Sequence, residues 1–451
     1  MKAVLLSLFF FSATCTLSGG VVAEEAMTVK DANPTLESAT SGNWGVRSQF
    51  TYVNQWHSDF RALYDGQNSM GRAASNTNTT DLTLFIGRRL WKNGEFWINP
   101  EIDQGFGLSN TVGMAGYPSG EAYKIGQNRP YVRLPRAFVR HVIPLDGEPQ
   151  AVEEGINQFA NHYSANNIVV TFGKFAVVDI FDNNSYAHDA RSDFLNWSII
   201  DSGTFDYAAD PWGFTNGLSI EWNQSNWSWR GAMFQMSQVP NQKITGVHVY
   251  PHSVVAEIEH RHEWAGHPGK FKLLFFLNES HMGAYRDATR LGMATNSVPD
   301  TALVRHNSSN PGLSVNVEQE LASDFGAFLR MGINSGKKET YEFTDINRSI
   351  SGGLSLQGMR WNRSGDRVGL AGAINALSSD AKAYFSAGGS GILIGDGKLN
   401  YGTERIVEAY YSAVLTHNLK LSFDYQHVTN PAYNRDRGPV TIYALRLHAE
   451  L

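Results

Sequence analysis

From Trp44 to the last residue, apolar and polar side chains alternate in runs of about ten. In an extended chain a period of two sends one set to each face. Trp44, Val46, Phe50 and Tyr52 thus oppose Arg47, Gln49, Thr51 and Gln55. Leu313, Val315 and Val317 oppose Ser314, Asn316, Glu318 and Glu320, while Leu419, Leu421, Phe423 and Tyr425 oppose Lys420, Ser422, Asp424 and Gln426. The last stretch repeats the pattern: Tyr443, Leu445, Leu447, Ala449 and Leu451 alternate with Ala444, Arg446, His448 and Glu450. These runs predict strands over 43–56, 80–91, 94–104, 130–142, 166–176, 213–223, 226–237, 252–262, 270–281, 311–321, 324–333, 349–360, 366–376, 403–413, 417–428 and 438–450, sixteen in all. Their lengths suit tilted strands that cross a bilayer.

The connections alternate between long and short. Long ones cover 57–79, 105–129, 177–212, 282–310 and 377–402, and short ones include Lys92-Asn93, Ala322-Ser323 and Val414-Leu415-Thr416. One segment breaks the rule: 143–165 is long where a short turn is due, and Ala151–Phe159 reads as a small helix. A sandwich would turn the apolar stripes toward a core, whereas a barrel turns them toward lipid. Alternating loop lengths and aromatics near strand ends (Trp44, Trp56, Trp91, Trp222, Trp361, Tyr443) favour the barrel. The expected fold is all-β: a sixteen-stranded antiparallel transmembrane β-barrel with short periplasmic turns and long extracellular loops. The closing strand then faces lipid with its Tyr443–Leu451 set and seals against 43–56, leaving Arg446, His448 and Glu450 to face water.

The first residues change the address. Lys2, the apolar run Val4–Phe11 and the small-residue site Val21-Val22-Ala23 read as a secretory signal peptide over 1–23. A polar stretch, 24–42, reads as a flexible periplasmic leader before the barrel domain, 43–451. The one cysteine, Cys15, lies within the signal, so the exported part has no thiol nucleophile, disulfide or thiolate metal site. A net charge of -6 over 451 residues, with basic residues scattered singly, gives no support for nucleic-acid binding. Neither HExxH nor a phosphate-binding glycine loop with Lys occurs, so catalysis has little support.

Charged residues on polar faces are the candidates for a selectivity zone, because fixed opposite charges orient a polar solute. Arg47, Arg89, Glu101, Asp103, Arg136, Arg140, Glu318 and Asp424 are the pore-lining candidates. Segment 177–212 is the longest connection, and its carboxylates are all Asp, with Phe, Tyr and Trp between them. An aromatic-rich loop of this kind can fold inward, narrow the lumen and offer flat faces to sugar rings. Asp182, Asn183, Asn184, His188, Asp189, Asp193, Trp197 and Trp212 are its candidates; self-packing as an ordered loop is the plain alternative. Asp182, His188 and Asp189 are also weak candidates for a hard metal such as Mn or Ca, without diagnostic spacing.

Several strings carry a resemblance: FWINPEIDQGFGLSNTVGMAGYPSGEAYKIG (96–126), YVRLPRAFVRH (131–141), VTFGKFAVVDIFDNNSYAHDARSDFLNWSIIDSGTFDYAADPWGF (170–214), and NPAYNRDRGPV (430–440) with ALRLHAEL (444–451). They resemble the carbohydrate-selective porin family, most closely a branch often described as high-affinity manganese porins. The resemblance implies a sixteen-stranded outer-membrane barrel that passes mono- and oligosaccharides through a constriction. Arg136 and Arg140 in LPRAFVR, and Glu101 and Asp103 in PEID, match family strand motifs. The terminal Leu451 departs from the family's usual Phe. The expectation is a passive bacterial outer-membrane channel without cofactor, selective for carbohydrates, with a manganese porin as the alternative and a barrel enzyme acting on lipid or glycan as a distant one. Its partners are then outer-membrane lipid and lipopolysaccharide, the barrel-assembly machinery, and sugars or divalent cations as solutes. Monomer and homotrimer stay open.

Overall fold

A computed structural model describes residues 42–122 and 126–451. The expected signal peptide (1–23), and the expected leader up to residue 41, lie outside the described residues. Among the described residues eighteen strands follow one another: β1 (Trp44–His57), β2 (Ser75–Trp91), β3 (Gly94–Gly105), β4 (Gln127–Pro144), β5 (Pro149–Val152), β6 (Asn161–Ser164), β7 (Asn167–Phe175), β8 (Thr215–Gln224) and β9 (Trp227–Gln235). Then come β10 (His252–Trp264), β11 (His267–Gly283), β12 (Arg305–Ala322), β13 (Phe325–Asn334), β14 (Arg348–Gln357), β15 (Arg367–Ala376), β16 (Glu404–Thr416), β17 (Leu419–Thr429) and β18 (Val440–Glu450). All but β5 and β6 join one closed antiparallel barrel, with β4 paired to β7 and β1 to β18. All sixteen segments expected from the alternation are barrel strands.

The seam forms where the alternation places it. Phe50 stands opposite Ala449 and Tyr52 opposite Leu447. Trp56 stacks on Tyr443 with centroids 5.8 Å apart. Ser48 and Leu451 exchange both backbone hydrogen bonds at 2.8 Å, so the ladder continues to the final residue.

Val46, Leu84, Val132, Phe172, Phe275 and Leu445 are exposed on the outside, while Gln49, Thr51, Glu101, Glu257 and Asn316 are buried inside. Apolar out and polar in inverts a soluble protein, and it suits a wall whose solvent is hydrocarbon and whose backbone pairs only with itself. Trp44, Trp91, Trp222, Trp227 and Trp264 stand exposed around the short-turn end, as an interfacial girdle does.

Two expectations need correction. Several strands run past their expected ends: β2 starts at Ser75 and β12 at Arg305, because their polar tips continue the ladder beyond the apolar belt and carry no alternation. The helix expected over Ala151–Phe159 is absent; β5 and β6 pair instead as a separate hairpin. Asn157 between them has φ of 56°, a left-handed conformation that no right-handed helix accommodates. Helices do occur at the other end, at α2 (Tyr285–Thr295) and α3 (Ser379–Ser386), following the four-residue α1 (Trp197–Ile200). Helix α3 begins on Ser378, whose hydroxyl accepts from the Ala381 N–H at 3.1 Å. Its eight residues are too few for a periodic signal to stand out.

The lumen is largely filled. Loops from the long-loop end turn inward and share a core in which Trp197 stacks on Tyr117 at 5.2 Å and meets Tyr207 and Phe343. Leu445→Arg should place charge in mid-strand on the lipid face and lower barrel stability by about 2–4 kcal/mol. The expected readout is loss of the SDS-resistant folded band at a lower temperature than in the unchanged protein.

Candidate pore and its constriction

A segment folded into a barrel brings peptide groups that the strand ladder cannot satisfy. Segment 176–214 solves this by resting on carboxylates of the opposite wall. Glu257 on β10 accepts the Asp182 N–H at 2.8 Å, Glu318 on β12 accepts the Ser185 N–H at 2.8 Å, and Glu408 on β16 accepts those of Leu195 and Asn196. Glu404 on the same strand takes the N–H groups of Ala115, Gly116 and Ala432, at 3.0, 2.7 and 2.8 Å.

Wall cations hold the carbonyls. Arg330 on β13, itself buried, donates to Ile199 O at 2.8 Å and Asp182 O at 3.0 Å, with the Asp182 carboxylate 3.3 Å away. Arg446 on β18 donates to Asp193 O at 2.9 Å and also to Ala190 O. In return, the loop's Asp206 accepts the N–H groups of Tyr341, Glu342 and Phe343 between 2.7 and 3.1 Å. The loop is therefore fastened along β10–β18.

What remains is a cavity of about 510 Å³ between the loop and the opposite wall. Strand β4 lines it with Arg136 and Arg140, β8 with Glu221, and the loop with Asp179, His188, Asp189, Arg191, Trp197, Trp212 and Phe214. The charges that line it meet opposite charges, some of them on residues behind the lining. Arg136 grips Asp179 with two bonds of 2.6 and 2.8 Å, and Arg140 reaches Glu95 at 2.8 Å. Arg191 lies 3.3 Å from Glu121 and 3.6 Å from Asp81, and Arg230 lies 3.0 Å from Glu221. Aromatic faces adjoin these pairs: the Arg136 guanidinium lies 4.8 Å from the Phe214 ring, and Arg133 lies 5.1 Å from Phe214 and 5.9 Å from Trp212. Burial works against the charged form of His188, but Asp201, 3.5 Å from Nδ1, outweighs it and raises the imidazole above its ordinary value.

Residues 67–451 match the family described as the carbohydrate-selective porin, OprB family. The chain belongs to that family. Among solved structures, OprB of Pseudomonas putida superposes with a TM-score of 0.69 at 15% identity, over 91% of this chain and 94% of that one. OccK2 (OpdF) of Pseudomonas aeruginosa and OccAB1 of Acinetobacter baumannii each give a TM-score of 0.46, at 9% and 10% identity, over 90% of this chain and 97% and 96% of theirs. Comparison with curated proteins returns no match. The barrel is an outer-membrane porin, with short turns on the periplasmic side and long loops outside.

Within this porin the candidate residues divide by location. Arg136, Arg140, Asn183, His188, Asp189, Trp197 and Trp212 line the cavity. Asp182, Asn184 and Asp193 are buried and fasten the loop: Asp182 accepts from Ser202 and Asn316, Asn184 donates to Asn316, and Asp193 accepts from Arg367 at 3.0 Å. Glu318 and Asp424 lie beneath the loop rather than on the cavity wall, Glu318 holding Ser185 and Lys270, and Asp424 accepting from Gln426. Glu101 and Asp103 are bound by Arg133, while Arg47 and Arg89 turn toward the segment after β4. Arg446, expected to face water, is buried against the loop carbonyls because those carbonyls need donors. Among the described residues, no three His, Cys, Asp or Glu side chains gather as they would around a metal ion.

Arg133 and Asp179 escaped the alternation. Strict parity puts Arg133 on the face opposite Arg136, yet the register shifts between Asn99–Arg136 and Glu101–Arg133, so β4 has one extra residue there. Pro135 inside the strand was the available sign, since proline in a sheet marks bulges.

Arg330→Ala should leave the Asp182 carboxylate buried without its cation, costing about 3–5 kcal/mol as broken buried pairs do. Its single-channel trace is expected to show higher and noisier conductance as the loop loosens. The raised His188 gives a pH signature. Its stabilising contribution is complete below the unfolded imidazole's value and is lost as pH rises through the higher folded one. Channel noise should therefore grow with alkalinity in the unchanged protein, and His188→Gln should flatten that dependence.

Proposed function

We propose that this porin passes neutral carbohydrates of mono- to oligosaccharide size. The observation that carries the reading is the pairing of charge with aromatic surface along one cavity. Arg136–Asp179, Arg140–Glu95 and Arg191–Glu121 each offer hydrogen-bond donors and acceptors while offsetting part of their field, and Glu221 shares Arg230 with Glu257 and Glu259. A lining of that kind gives little preference to a free ion, yet it replaces the water around a sugar's hydroxyls. Phe214 and Trp212 supply flat apolar faces for the C–H side of a pyranose ring. Conduction requires that no single contact hold the solute tightly.

Two measurements on the same preparation test the reading. Proteoliposomes should swell in neutral mono- and disaccharides, and those sugars should reversibly block ion current in planar bilayers. Phe214→Ala should weaken the block about fivefold, the equivalent of about 1 kcal/mol of lost ring contact. Exclusion of sugars together with rapid dissipation of a Mn²⁺ gradient would replace this reading with that of a divalent-cation porin.

A further inference from the structure

The strand connections at the periplasmic end are short: residues 92–93, 225–226, 265–266, 323–324 and 417–418 each make a two-residue turn, and 358–366 between β14 and β15 make a nine-residue one. Residues 145–166 between β4 and β7 are the conspicuous exception. Joining those strands needs no such length, because two residues suffice for an antiparallel pair. The segment also folds inward.

Phe159 is buried inside the barrel, its ring 4.8 Å from Trp97 and 4.6 Å from the Arg89 guanidinium. Two wall glycines leave the space: a Cβ at Gly45 would come 2.9 Å from the Phe159 ring, and one at Gly87 would come 2.5 Å from Trp97. Polar contacts then fasten the segment around this anchor. Arg89 donates to Ala160 O at 2.6 Å, Arg140 to Asn157 O at 2.7 Å, and Arg47 pairs with Glu154. Glu95 takes the Phe159 N–H at 3.2 Å while also accepting from Trp97 Nε1 and Arg140. The tip, Ile156 and Asn157, forms part of the wall of the 510 Å³ cavity, beside Arg140 and Glu221.

We propose that segment 145–166 is a second constriction on the periplasmic side of the channel, so that a solute released from the cavity leaves past Ile156 and Asn157. Arg47, Arg89 and Glu95 are positioning residues for it. Two narrowings in series share the resistance of the pore, and the size limit belongs to whichever is tighter. The inference rests on the channel itself and not on which solute the channel carries.

The test uses the full chain in planar bilayers, with KCl conductance and exclusion of graded neutral polyethylene glycols as readouts, and SDS-resistance as the check of folding. Replacing 146–165 by Asn-Gly should raise conductance roughly twofold, as expected when one of two comparable barriers in series is removed, and should admit larger polymers. Phe159→Ala, which frees the anchor and keeps the chain length, should shift both in the same direction by less. A folded shortened variant with the original conductance and polymer cut-off would overturn the proposal. Should that variant not fold, a folded Phe159→Ala with both values unchanged would overturn it equally. Sugar block plays no part in either readout, so a failure of carbohydrate selectivity would show separately.

Discussion

The interior of this porin depends on satisfying peptide groups that leave the strand ladder. A loop of nearly forty residues inside a barrel would be untenable if its N–H and C=O groups found no partners. The wall supplies them with buried carboxylates and guanidinium groups: Glu257, Glu318 and Glu408 accept amides, while Arg330 and Arg446 donate to carbonyls. Charge-assisted bonds of this kind are stronger than neutral ones, and they give the loop one seat rather than many. Aromatic packing around Trp197 completes the seat, but the polar clamps decide where it lies.

The position of the passage follows. Because the clamps are spread over β10–β18, the loop lies against that side and the open space is pushed to β2–β8. There, Arg136 meets the loop's Asp179 and the Phe214 ring, and Arg140 meets Glu95 on β3, instead of facing a water-filled ring of charge. The same wall anchors the segment after β4 through Arg89, Arg140 and Glu95. One arginine, Arg140, thus touches the cavity and the periplasmic segment at once.

The barrel was legible because its rule is local. Alternation depends only on the pleat of an extended chain, so Trp44, Val46 and Phe50, like Leu445 and Leu447, declare their faces without reference to any partner. The roles of the charged residues were not legible in that way. Glu318 and Arg136 sit on polar faces of their strands and read alike as lining. One ends beneath the loop and the other on the cavity, a difference set by residues more than forty positions distant in each case. Arg133 was hidden for a smaller reason, a one-residue bulge that reverses parity at Pro135.

By itself, then, the chain's pattern determined the strand number, which face meets lipid, and how the final strand pairs with the first. These follow from period two and from the need of every membrane-buried peptide group for a neighbouring strand. Only the tertiary structure decided which polar residues clamp and which face the passage, that Ala151–Phe159 is no helix, and that Phe159 enters the lumen. Those outcomes depend on where an inward-folded segment finds hydrogen-bond partners and a void of matching shape, as at Gly45 and Gly87, and no local periodicity encodes that.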